Sequence, residues 1–363
     1  MENRTFIVQE HLSDDFWNQY DELWQNSQNR SSFQAPELLK YFSEFNRNKS
    51  VAFQLFVNQK LTGAVIFSIT VKTYSFLSDL KSDVNEFVFH QNICNSDIQF
   101  FFNNLFEKVK QSRSSLILNK IPESCHYMQA LEVSVRNKNL FWRKIKYMVC
   151  KRVVANTPND LFNIINDSSQ TRSSVNKIKK EKNAIFEVFT NDADLESWVS
   201  EFCKAHIHRW SDSSTPSVLS DKNKQHFLLQ SLKAWNKENI LVRFSLRLEL
   251  KRISFVIALV ENKTLIHHST TFDPDYRKFS PGRSIIHFIA KWMAEQNFNI
   301  LDFGYGDEGY KSFFSNNQQE LDRVFISNRT NLLFMFKAII IKHVRNQNWL
   351  YKIYKEKIKI HLN

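Results

Sequence analysis

The sequence predicts an α/β protein made of two copies of one unit. Three observations predict it. At 363 residues the chain is too long for one ordinary domain and comfortable for two. Helical periodicity gives way to paired strands twice along the chain. The two strand pairs also align at an offset of 191 residues, which matches Phe53 with Phe244, Leu55 with Leu246, Lys60 with Lys251 and Ile66 with Ile257.

The elements follow in order. Trp17, Tyr20, Leu23 and Trp24 recur at helical spacing, and Pro36 opens a second helical run. The runs 51–57 and 61–71 read as strands joined by an Asn58-Gln59-Lys60 hairpin turn. A helix over 97–110 and a buried strand over 114–121, stopped by Pro122, complete the first half. The second half repeats the order. Helices are expected over 193–210 and 221–236, the latter with Asp221 as N-cap. Strands are expected over 241–248, 253–260 and 264–272, then a loop, a helix over 282–296 and a strand over 299–304. Turn-like composition near 155–175 places the join there. The expected division is an N-terminal domain 1–160, a C-terminal domain 161–330 and a basic amphipathic helix 331–363.

Hydrophobic residues make up 42% of the chain, 33 of them Phe, so a sizeable core can form. No apolar run is long enough to span a bilayer, and the N-terminus lacks the basic and apolar regions of a signal peptide. The four cysteines are far apart, with no CxxC pair and no His at ligand spacing, which argues against a zinc site or a disulfide framework. A cytoplasmic location and no metal are therefore expected. The net charge of +12 is concentrated in residues 171–182 and 331–363. Such patches attract phosphates of a nucleotide cofactor, a nucleic acid or an anionic membrane, or else are solvated helix faces.

The sharpest signal is where the glycines fall. The chain has only five, and four of them, Gly282, Gly304, Gly306 and Gly309, lie within 28 residues. Glycine serves where the backbone needs an unusual φ or a close approach to a ligand, so 273–311 is the candidate site. Ser280 suits an N-cap, Pro281 the first helical position, and Gly282 leaves the helix start bare of side chain. Free N–H groups and the positive end of the helix dipole make that start an anion site, with Arg283 adding charge. The alternative is a well-capped structural helix. Residues 301–311 form a short strand carrying Asp302, then a glycine-punctuated turn holding Asp307, Glu308, Tyr310 and Lys311. The GxGxxG at 304–309 lacks the βαβ context of a dinucleotide fingerprint.

Taken together, F-D-P-x-Y-x-x-x-S-P-G at 272–282 and D-F-x-x-G-x-x-x-Y-K at 302–311 resemble the CelD-like branch of the GNAT acyltransferases. The run His206-Ile207-His208-Arg209-Trp210, followed by Thr215-Pro216, resembles that branch's upstream motif. The resemblance implies tandem GNAT-like domains, each a mixed central sheet flanked by helices, with acyl-CoA bound by the second and the first non-catalytic. It also implies an association with polysaccharide or cell-envelope biosynthesis, and kinship with FemAB-type proteins that take amino acids from tRNA.

On this reading Tyr310 is the acid for the departing thiolate, and Asp302 is the base or substrate-orienting carboxylate. Ser280, Pro281, Gly282, Arg283 and Lys311 hold the CoA phosphates. His208, Arg209, Trp210, Asp273 and Tyr276 line the acceptor pocket. Capping, ion-pairing and core roles are the alternatives for Asp302, Asp273 and Tyr310. His267 and His268 lie on one strand, so only one of them faces a cleft. The expected function is acyl transfer from acetyl-CoA or another acyl-CoA to a small or sugar-linked acceptor. Aminoacyl transfer from tRNA and a non-catalytic scaffold are the alternatives. The basic 331–363 segment is either a helix packed on its own domain or a contact with an anionic membrane.

Overall fold

A computed structural model describes residues 3–346 apart from 46–48, 80, 182, 214, 215 and 307. Thr215, Asp307 and the tail beyond Asn346 therefore lie outside the described residues. In chain order the first half contains β1 (Arg4–Gln9), α1 (Asp14–Gln25), α2 (Pro36–Phe45), β2 (Lys49–Val57), β3 (Lys60–Thr70), β4 (Thr73–Phe76) and β5 (Val88–Phe89). It continues with α3 (Asn95–Ser112), β6 (Ser115–Pro122), α4 (Met128–Asn137) and β7 (Phe141–Val154). The second half opens with α5 (Pro158–Asn166), α6 (Ser169–Lys180), β8 (Ala184–Phe189), α7 (Leu195–Arg209) and α8 (Lys222–Lys237). There follow β9 (Leu241–Leu248), β10 (Lys251–Glu261), β11 (Thr264–Phe272), α9 (Pro281–Glu295), β12 (Ile300–Tyr305), α10 (Gly309–Phe314), β13 (Asn317–Ser327) and α11 (Leu332–Asn346).

The chain divides into two compact units. One comprises Met1–Gln28, Phe45–Met148 and Glu320–Asn363; the other comprises Asn29–Glu44 and Val149–Gln319. The division after Met148 falls before the turn-rich 155–175 stretch, because the end of β7 pairs with β12 and so belongs to the second unit. Likewise most of β13 pairs with β6, so residues 320–327 belong to the first unit and not to the domain expected over 161–330.

Each unit has the same sheet. In the first, β1, β2, β3 and β4 form an antiparallel series, β4 runs parallel to β6, and β6 runs antiparallel to β13. In the second, β8, β9, β10 and β11 form the antiparallel series, β11 runs parallel to β12, and β12 runs antiparallel to the end of β7. The 191-residue offset thus superimposes β2 on β9 and β3 on β10, strands of equivalent place. The final strand of each sheet comes from the other half of the sequence, and sequence periodicity alone does not reveal such an exchange.

The first unit's core is aromatic. Phe53, Phe67, Phe87, Phe89, Phe101 and Phe102 are buried together on the α3 face of the sheet. The second unit buries the apolar stripe of α9, with Ile285, Ile289 and Met293 at 0% exposure. Each such side chain contributes about 1.5–3 kcal/mol. Asp221 caps α8 by accepting from the Asn223 N–H.

An ion network ties β8 to β9, β10 and α7. The Glu187 carboxylate accepts from Arg252 at 2.7 Å, Arg247 at 2.8 Å and the Ser245 hydroxyl at 2.7 Å, and Arg252 also reaches Asp194 and Glu201. Burial pushes the Glu187 carboxyl up, but the hydrogen bonds from Arg252, Ser245 and Arg247 outweigh it and hold it below its ordinary value. A depressed folded value gives stability that is present above the unfolded value, about 4.3, and is lost as pH falls through the folded one. Glu187→Gln is therefore expected to flatten the acid limb of a stability-versus-pH curve while lowering the neutral plateau. Urea titrations from neutral pH down to pH 3 measure both.

Candidate active site

The site begins where two strands part. β11 and β12 pair only from Thr264–Ile266 to Ile300–Asp302. Beyond that point β11 continues to Phe272 without β12. At the same place β11 carries a bulge. Ile257 of β10 faces Ser269 and Ala258 faces His267, so the register shifts by one residue at His268. A bulge next to a strand separation re-aims backbone and side chains, and such bulges are over-represented beside active sites. His267 is 3% exposed and turns toward Phe303 and Tyr310, with ring centroids 5.6 and 6.3 Å away. His268 turns the other way, onto Phe33 and Trp235. The histidine that faces the strand separation is thus His267, which sequence reading narrowed to one of two.

Around this separation the predicted residues gather. Tyr310, on the first turn of α10, sets its ring edge-on to Phe303 at 5.9 Å. Arg209 ends α7 and lays its guanidinium over the Phe272 ring, 4.4 Å from the centroid. Burial lowers the Arg209 value, nearby Tyr310 and Glu308 partly restore it, and Arg277 lowers it further. Arg209 therefore lies within electrostatic reach of Tyr310. Gly282 meets the same Phe272 from α9: a Cβ placed there would sit 3.5 Å from the ring. Arg283 stacks its guanidinium 5.0 Å from the Phe313 centroid on α10. So α9's first turn, Arg209, Arg283 and Tyr310 converge on one place.

The start of α9 departs from the expectation in one respect. Ser280 precedes the helix in the left-handed region (φ 49°, ψ 52°), and its side chain makes no cap hydrogen bond. Its carbonyl instead accepts from the Arg283 and Ser284 N–H groups at 3.0 Å each. The tight turn comes from backbone geometry, with Pro281 occupying the first helical position. The Gly282 N–H belongs to the first turn, where no intrahelical acceptor exists.

The four clustered glycines divide by cause. Gly304 and Gly306 have φ of 65° and 136°, so the turn after β12 requires them. Gly282 and Gly309 have ordinary φ and room for a Cβ. At Gly306 a Cβ would clash with Glu308 Oε2 and fall 2.9 Å from Lys311 Nζ. Gly306→Ala is expected to cost about 1–3 kcal/mol, whereas Gly309→Ala stays within about 0.5 kcal/mol. Chemical denaturation of the two variants measures the contrast.

Two predicted site residues are engaged in ion pairs and hydrogen bonds. The carboxylate of Asp302 takes Arg152 Nε at 2.6 Å on one oxygen and the Gly304 N–H at 2.8 Å on the other. Arg152 is its cross-strand neighbour on β7. A carboxylate so engaged holds the turn, which is the ion-paired alternative that the sequence left open for Asp302. Lys311 is 5% exposed, and its ammonium donates to the Tyr305 carbonyl at 2.7 Å and pairs with Glu308 at 3.0 Å. It closes the β12–α10 turn from inside, so a phosphate contact would require that pair to open.

The remaining residues form a group at the end of β11. Asp273 caps the Pro274–Phe279 turn by accepting from the Asp275 N–H, pairs with Lys251 at 2.7 Å and lies 3.4 Å from His208 Nδ1. Burial raises the Asp273 carboxyl, but Lys251, the Asp275 N–H and His208 outweigh it and keep it below its usual value. Tyr276 lies beneath the Lys251 ammonium, 5.2 Å from ring centroid to nitrogen. Trp210 stacks on His206, whose Nδ1 meets the Ser217 hydroxyl at 2.7 Å. Among the described residues, His208, Asp273 and Asp275 are the one His/Cys/Asp/Glu group close enough to share a cation. Lys251 also brings a positive charge to Asp273 in this group. A surface depression of ≈ 540 Å³ lined by Asp192, Glu196, Lys233 and Lys237 contains none of these residues.

The basic α6 flanks α9. Arg172 donates to the Asn166 and Asp167 carbonyls at the end of α5, and Lys179 is close enough to His287 on α9 to depress it. Burial, then Lys179 and Lys291, bring His287 down to about 4, so it is neutral at physiological pH.

Residues 167–312 match the sequence family described as acetyltransferase (GNAT) domain. This segment is a GNAT-type acyltransferase domain. Most of the chain is also similar in fold to several solved structures. FemX shares 10% identity at a TM-score of 0.62, over 92% of this chain and 100% of that one. L-PGS from Bacillus licheniformis shares 9% at 0.57, over 90% and 95%. The C-terminal domain of a putative lysylphosphatidylglycerol synthetase from Agrobacterium fabrum shares 11% at 0.53, over 77% and 85%. At such identities the likeness is one of fold. No curated protein matches the chain in sequence. The strand separation, the bulge and the α9 start all lie inside the GNAT domain, as does every predicted site residue. Among the described residues no helix is long and apolar enough to cross a membrane.

Proposed function

We propose that this GNAT domain transfers an acyl group from a CoA thioester to an amine or hydroxyl of a small or sugar-linked acceptor, in the cytoplasm. The observation that carries the reading is the parting of β11 from β12, with the glycine-bearing start of α9, Arg209, Arg283 and Tyr310 gathered around it. The first-turn N–H groups of α9, the helix dipole and Arg283 receive the donor's pyrophosphate. The acceptor nitrogen or oxygen attacks the thioester carbonyl, the C–S bond breaks, and the Tyr310 hydroxyl gives its proton to the departing thiolate. His208, held beside Asp273, takes the acceptor's proton in place of the engaged Asp302.

The identical sheet order of the two units supports a tandem GNAT arrangement, and the SPG and DFxxGxxxYK motifs support the CelD-like branch. The first unit has no counterpart of Ser280-Pro281-Gly282, so we assign it no catalytic role.

A second reading, which the comparisons back better than the first, is aminoacyl transfer from tRNA, as in FemAB-type proteins. Two observations favour it: the likeness to FemX and L-PGS spans nearly the whole chain, and the basic α6 flanks α9. It uses the same site with a larger polyanionic donor. Transfer assays with labelled acetyl-CoA and with charged tRNA, each at low and high salt, separate the two. Thiol release from acetyl-CoA, insensitive to salt, supports the first. Transfer from tRNA alone, falling steeply with salt, replaces it with the second.

A further inference from the structure

We propose that the outward face of α11 docks in the plane of an anionic membrane surface. The helix has two apolar faces with different fates. Phe334, Ala338 and Ile341 pack on Phe325 and Ile145 of the first unit. Leu332, Leu333, Phe336, Ile339 and Ile340 point away, with exposures of 70%, 66%, 62%, 42% and 43%. Their spacing of three, four and seven residues makes one continuous stripe. Among the described residues, 15 large hydrophobic side chains are exposed, and these five fall within nine consecutive positions. The rest are scattered, so this stripe is the patch that asks for a partner.

Charge decides which partner. Lys337 is exposed between Phe336 and the buried Ala338, and Arg329 is exposed just before the helix. By sequence, residues 347–363 add Lys352, Lys355, Lys357 and Lys359 against the single acid Glu356. Either occupant drawn from this chain, its own tail or a second copy, would bring cations against cations. A bilayer of anionic lipids brings the opposite charge together with an apolar layer for the stripe. Basic side chains reach the headgroups while their stems lie along the apolar boundary. Over its described residues the helix is not long and apolar enough to cross a membrane, which fits this mode. The proposal stands on α11 and the basic sequence around it and is independent of the donor assigned to the GNAT domain.

The test is co-sedimentation of the full chain with vesicles of phosphatidylcholine alone and of phosphatidylcholine mixed with phosphatidylglycerol. The comparison variant carries Leu333→Ser and Phe336→Ser, both at exposed positions, with folding checked by circular dichroism. Wild type is expected to bind the mixed vesicles at least about tenfold more tightly than the neutral ones, as one or two basic groups near a charged surface provide. The double variant is expected to lose most of that binding and to keep its donor binding. Three results would overturn the proposal: no binding of wild type to mixed vesicles, equal binding by the variant, or a wild-type dimer that the variant makes monomeric while vesicles fail to compete.

Discussion

Tyr310→Phe is expected to lower kcat by about two to three orders of magnitude and to leave donor binding within about twofold, because general acid catalysis of this kind contributes 10²–10⁴-fold. The variant keeps the ring, and with it the packing on Phe303 and His267, so stability changes little. Only the hydroxyl near Arg209 goes. A thioester with a more acidic leaving thiol needs less help from the acid, so it should recover part of the rate. Equal losses with ordinary and activated thioesters would contradict the acid role, and so would a loss confined to KM. Steady-state kinetics with both donors decide it.

The second large effect concerns Asp302. Its carboxylate is 4% exposed at the side chain and pairs with Arg152 at 2.6 Å. Removing one partner of a buried pair leaves an uncompensated charge and costs about 3–5 kcal/mol. Asp302→Ala is expected to destabilise the second unit by that amount, and Arg152→Ala to do the same. The double variant should lose less than the sum, since neither charge is then stranded. If Asp302 were instead the catalytic base, Asp302→Asn would abolish turnover at nearly unchanged stability. Urea unfolding alongside turnover of the three variants distinguishes a strut from a base.

The sequence announced the repeated α/β order because it rests on local signals. Strand periodicity located β2, β3, β9, β10 and β11, and the crowding of Gly282, Gly304, Gly306 and Gly309 located the loops between β11 and α10. Long-range geometry stayed hidden. The exchange of β7 and β13 between sheets depends on partners more than a hundred residues away, and no local pattern records it. The engagement of Asp302 by Arg152 and of Lys311 by Glu308 and Tyr305 was equally invisible, because an acid or a lysine in a glycine-rich loop reads the same whether it is free or paired. The β11 bulge carries no glycine, so nothing in His267-His268-Ser269 signalled it. Alternation along the strand did limit the cleft to one of two histidines, and burial against Phe303 and Tyr310 chose His267.

The measurement that tests the central claim most directly is calorimetric titration of wild type and Gly282→Glu with acetyl-CoA and CoA. A Cβ at Gly282 meets only ordinary contact with Phe272, so the variant should fold normally and differ only by a carboxylate at the α9 start. The account predicts that wild type binds both ligands and that the variant loses at least tenfold in affinity, the least a misplaced charge at a phosphate site costs. Equal binding by the two proteins would contradict the assignment of that helix start to the donor. Failure of wild type to bind either ligand would contradict the CoA donor itself.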